Sequence, residues 1–100
     1  MNIRFEWDSA KAATNWQDHG VTFEQAVRAF RDPFSVEQID DREDYGEDRW
    51  QGIGLLQGRV VVVVFTDRDP DIIHIISLRK ADRDERRAYE AWLQDQLDTS

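Results

Sequence analysis

The chain has 100 residues, of which 40% are apolar and 34% charged; its net charge is −8 and it contains no cysteine. That is sequence enough for one folded domain spanning residues 1–100, and it excludes disulfide frameworks, thiolate metal sites and a disordered chain. The longest apolar run, Val60–Phe65, is too short to span a bilayer, and the opening Met1-Asn2-Ile3-Arg4 lacks a secretory h-region, so the expectation is a cytoplasmic protein with no membrane contact.

The pass along the chain begins with Arg4-Phe5-Glu6-Trp7, a short alternating stretch that reads as an edge strand. Asp8 is a good helix N-cap, and Gly20 supplies the left-handed stop, which predicts a helix over Ser9–His19 with Ala12, Ala13 and Trp16 on its apolar side. Thr22 with Gln25 forms a capping box for a second helix, whose Phe23, Ala26, Val27 and Phe30 repeat at helical spacing until Asp32-Pro33 ends it. Phe34–Ile39 reads as a strand and Asp40–Asp48 as an acidic loop. Arg49–Leu56 is a second strand of this region, with Gly52 and Gly54 suggesting a bulge, and Gln57-Gly58 marks a tight turn. Arg59–Thr66 carries five consecutive valines, the pattern of a central strand buried on both faces. Asp67–Asp71 is a turn cluster. The next strand, Ile72–Arg79, should place Ile73, Ile75, Ser77 and Arg79 on one face and Ile72, His74, Ile76 and Leu78 on the other. Asp82 with Glu85 caps a last helix, with Ala88, Tyr89, Trp92 and Leu93 inward and fraying from Asp95. The order predicts an α+β domain: a mainly antiparallel sheet, an N-terminal helical hairpin and a C-terminal helix.

Charge is unevenly distributed along this frame. Residues 1–31 are neutral, 32–48 carry −7, 49–80 carry +2 and 81–100 carry −3. A nucleic-acid binder usually shows a broad basic footprint, and this chain does not. Its candidate chemistry is therefore local. Lys11, Asn15 and His19 stack at i, i+4 and i+8 on one helix face, a row able to hold a polyanionic backbone, with His19 available for proton transfer near neutral pH. On spacing alone, a solvated face with His19 against the helix C-terminal dipole is the stronger reading. Arg79, Lys80, Arg83, Arg86 and Arg87 suit phosphate recognition, although surface ion pairs account for most of them. Trp50 could stack on a base or sit in the core, and Tyr89 is expected to be packed. The acidic segment does not have calcium-loop spacing; it is a solvated loop, or an anionic arm that competes with phosphate. No cofactor or metal motif is present in the sequence.

Taken together, Phe5-Glu6-Trp7-Asp8, Lys11-Ala12, Asn15, His19-Gly20-Val21, Phe23-Glu24-Gln25-Ala26, Glu47-Asp48-Arg49-Trp50, Ile75-Ile76-Ser77, Arg79, Ala81, Glu85-Arg86 and Tyr89-Glu90 resemble the BrnT family, toxins of bacterial type II toxin–antitoxin pairs. The resemblance implies a small RelE-like ribonuclease fold that cuts RNA without a metal, inhibits translation, and is neutralised by a BrnA-like ribbon-helix-helix antitoxin through which it meets operator DNA. Carried over to this chain, it points to Lys11, His19, Arg49 and Arg79 as catalytic; Asn15, Trp50, Lys80, Arg83 and Tyr89 are the candidate RNA contacts. These cations should then converge on one pocket. Two positions depart from the family pattern: Asp18 stands where a basic residue usually precedes His-Gly, and His74 where an arginine is common. Both remove positive charge, which implies weak activity on free RNA, or a catalytically quiet module that works mainly by binding its antitoxin in operon repression.

Overall fold

The computed structural model describes residues 3–29, 34–38, 49–69 and 71–98. The acidic loop, Phe30 and the Asp32-Pro33 stop lie outside the described residues. Eight elements follow one another: β1 (Arg4–Trp7), α1 (Ser9–His19), α2 (Phe23–Ala29), β2 (Phe34–Gln38), β3 (Trp50–Leu56), β4 (Arg59–Asp69), β5 (Ile72–Lys80) and α3 (Arg83–Asp98). The strands form one sheet in the order β1-β5-β4-β3-β2. β1 runs parallel to β5, and the other three pairings are antiparallel. The expected α+β class and helix placement hold.

Local chemistry accounts for most of the boundaries. The Asp8 carboxylate accepts from the Lys11 amide, 3.0 Å away, and Gly20 closes α1 at φ 68°. Thr22 and Gln25 cap α2 reciprocally: the Thr22 amide donates to Gln25 Oε1 and the Gln25 amide to Thr22 Oγ1. Asp82 and Glu85 repeat the device at α3. Gln57 and Gly58 both have positive φ, as a two-residue hairpin of the primed type requires. α3 continues beyond the expected fraying point to Asp98, its last turn supported by a bond from the Gln94 amide group to Asp98.

The valine run is central, as its composition suggests, and it divides the core in two. Val61, Val63 and Phe65 face Val21, Phe23, Ala26, Ile75 and Leu78, so the helical hairpin covers that side. Val60, Val62 and Ile53 face Tyr89, with Trp92 and Leu93 alongside, so α3 covers the other. Ala88, expected to point inward, is exposed.

Three strand expectations need correction. No register shift occurs between β3 and β4, so Gly52 and Gly54 make no bulge there; both are buried, opposite Val63 and Val61. β4 continues past Thr66 to Asp69, with a shift between Asp67 and Asp69. The third correction matters most. β5 pairs Ile75 with Phe65 but Ser77 with Val64, leaving Ile76 as an extra residue. Such a bulge reverses the alternation beyond it. Leu78 therefore joins Ile75 on the hairpin side, opposite Val63, while Arg79 stands opposite Val62 on the α3 side.

Candidate active site

β1 pairs with β5 only from Ile72 to Ile75, so the second half of β5 has β4 on one side and no strand on the other among the described residues. An unpaired strand edge needs polar partners. Asn15 provides one. Its Oδ1 accepts the Leu78 amide at 3.1 Å, and its Nδ2 donates to the Val21 carbonyl at 3.3 Å. Asn15 is 6% exposed, whereas Trp16, expected on the buried side of α1, is 56% exposed. α1 thus turns its polar row toward the sheet edge, and Ala12 rather than Trp16 meets the core. Asn15 is in place to hold α1 against β5, and its polar atoms are already engaged within the fold.

The two other members of that row remain available. Lys11 and His19 line a groove of about 350 Å³ between α1 and the bulged part of β5, with Thr14, Asp18, Ile76 and Ser77. Both are exposed, and neither side chain has an ion pair among the described residues. His19 occupies the last turn of α1, where the helix dipole favours a cation. Eight residues of helix set their backbones about 12 Å apart along the groove. The groove combines an ammonium, an imidazole and a carboxylate along an open strand edge. That set can hold a strand of phosphodiesters and move a proton at one of them.

The remaining candidates do not join them. Arg79 donates two parallel bonds to the Glu85 carboxylate, 2.7 and 2.8 Å, and a third at 3.3 Å to the Lys80 carbonyl. The paired guanidinium and the capping bonds hold Glu85 down to about 2 from its usual 4.5, and the same carboxylate raises Arg79. Arg79 ties the end of β5 to the start of α3. Arg79 does not line the groove of Lys11 and His19, although Ser77, two residues before it and on the same face of β5, does.

Arg49 is half-buried immediately before β3, and Trp50 packs against the hairpin-side core opposite Phe65. Trp50 pairs with Phe65, three residues along β4 from Val62, the partner of Arg79. Tyr89 is 2% exposed and stacks on Trp92 with ring centroids 5.6 Å apart. Its body belongs to the core. Lys80 and Arg83 are exposed. His74 Nδ1–H donates to the carboxylate of Glu6 at 3.1 Å, its partner in the parallel register, so this departure from the family pattern joins β1 to β5. Sequence reasoning passed over Arg59, at the tip of the β3–β4 hairpin; its position directly after a Gln-Gly turn was the available signal.

Among the described residues no group of histidine, aspartate and glutamate is arranged to hold a metal ion, and no helix is long and apolar enough to cross a membrane.

Comparison with known proteins agrees with this architecture. No curated protein matches the chain. The 1.1 Å crystal structure of the Brucella abortus ribonuclease toxin BrnT superimposes with a TM-score of 0.62 at 25% identity, covering 82% of this chain and 100% of that one. Residues 7–85 match the family model described as the ribonuclease toxin BrnT of type II toxin–antitoxin systems. With most of its length so matched, the chain belongs to the BrnT family of ribonuclease toxins.

Proposed function

We propose that this protein is an endoribonuclease toxin that cuts RNA without a metal ion, thereby inhibits translation, and is held inactive by a BrnA-like ribbon-helix-helix antitoxin that also carries it to operator DNA. The observation that carries the reading is the groove on the open edge of β5, where Lys11 and His19 stand without ion-pair partners among the described residues. The ribose 2′-oxygen attacks the neighbouring phosphorus, and the bond from phosphorus to the 5′-oxygen breaks. One proton leaves the 2′-hydroxyl and one reaches the departing oxygen. His19 serves one of these transfers, and Asp18 is the other proton acceptor lining the groove. Lys11, on the same face of α1, holds the phosphate backbone of the bound strand. Arg79 has a structural part here, anchoring α3 to β5 through Glu85. The cytoplasm is the compartment that offers such a substrate.

A second reading has one observation in its favour. Arg79, the family-matched candidate for phosphate stabilisation, is occupied by Glu85, which suits a quiet module that binds its antitoxin. Induction of the protein alone in a bacterium separates the two. Growth arrest with RNA breakdown, abolished in His19→Gln at unchanged folding, supports the nuclease. Normal growth together with tight antitoxin binding contradicts it.

A further inference from the structure

The cations that the active-site argument leaves over gather in one place. Arg59, Lys80 and Arg86 line a groove of about 530 Å³ between the β3–β4 hairpin and α3, floored by Leu55, Val60 and Leu93. Arg59 and Lys80 also line a second hollow of about 280 Å³, together with Gly20, Val21 and Gln25. Gly20 directly follows His19, which lines the groove at α1. The three hollows therefore form a sequence. It starts at Lys11 and His19, passes Gly20, turns the end of the sheet over Lys80 and Arg59, and finishes at Arg86 on α3.

Charge along this route opposes the charge of the molecule. Lys11, Lys80, Arg59 and Arg86 line it, against two carboxylates, Asp18 and Glu90. The chain as a whole has 21 acidic and 13 basic residues. Arg59, Lys80 and Arg86 have no ion pair among the described residues. A row of unneutralised cations along neighbouring hollows is the arrangement that tracks a nucleic-acid backbone. The route bends round the tip of a two-residue hairpin, a curvature that a stiff duplex does not follow and a flexible single strand does.

Resting on the ribonuclease reading, we propose that Arg59, Lys80 and Arg86 bind the phosphates of single-stranded RNA flanking the cleaved linkage, so that the substrate wraps the end of the sheet from α1 to α3. The test uses RNA of roughly 12 nucleotides, 2′-O-methylated throughout so that it binds without being cut. Its affinity for the wild-type chain and for the R59Q/K80Q/R86Q variant is measured by fluorescence anisotropy across a salt series. All three side chains are exposed, and circular dichroism checks that the variant is folded. The proposal expects about a tenfold or greater loss of affinity near 0.1 M salt, with the log–log salt slope shallower by about 2, three phosphate contacts at roughly 0.7 each. Equal affinity and slope would overturn it. If the wild type binds and cuts RNA while the variant matches it, the route falls and the nuclease stands. If the wild type neither binds nor cuts RNA, both fall. A variant that keeps RNA but no longer binds purified antitoxin would assign the groove to the partner and overturn the proposal.

Discussion

The two sides of β5 deal with charge in opposite ways. On the α3 side Arg79 and Glu85 satisfy each other through paired bonds, and the same carboxylate caps the helix. On the α1 side the polar row is divided: Asn15 is consumed by the fold, while Lys11 and His19 are left facing a groove. The matched family residues thus include both anchors and free groups, and only the geometry separates them. A buried amide that completes a strand edge fixes the site, and an ion pair at the end of β5 fixes the helix.

Substitutions can break this contrast at graded cost. Asn15→Ala is the most damaging, because it strands the Leu78 amide and the Val21 carbonyl in a buried setting. A loss of about 2–4 kcal/mol is expected by urea denaturation. Asn15→Asp should also destabilise, since a carboxylate has no proton to give the Val21 carbonyl. A loss below about 0.5 kcal/mol would mean that the edge is satisfied in another way.

Arg79→Ala and Glu85→Gln should each cost about 1–2 kcal/mol, discounted for the partial exposure of the pair, and a double-mutant cycle should show them coupled. The pair also has a pH signature. Glu85 is held down to about 2 from 4.5, so its contribution is fully present above pH 4.5 and is lost as pH falls from there toward 2. Melting temperature across that window should fall less steeply in Glu85→Gln than in the wild type. Parallel curves would remove the ion pair from the account of α3. The smallest effect is expected at Trp16, whose replacement by alanine should change stability by about 0.5 kcal/mol or less. A loss of about 3–5 kcal/mol would restore it to the core.

What could be read from the letters alone was the local grammar. The Asp8, Thr22–Gln25 and Asp82–Glu85 caps, the Gln57-Gly58 turn and the buried valine strand are decided by neighbours within a few residues, and they are found where the sequence puts them. What failed needed the third dimension. The extra residue at Ile76 cannot be seen in an alternating pattern, yet it moves Leu78 and Arg79 to opposite faces from those expected. Asn15 looked like a ligand and Trp16 like core, because no periodicity reveals that the neighbouring strand edge lacks a partner. For the site, the spacing of Lys11 and His19 puts both on one groove, whereas Arg49 and Arg79 do not line it.

The most direct test is the single-turnover rate of RNA cleavage by His19→Gln and Arg79→Ala, each measured where circular dichroism shows the variant folded. If the chemistry lies in the α1 groove, His19→Gln slows cleavage by about a hundredfold or more, as loss of an acid–base group does, and Arg79→Ala stays within roughly threefold of the wild type. Cleavage that survives in His19→Gln but vanishes in folded Arg79→Ala would place the reacting phosphate on the α3 face and contradict this account.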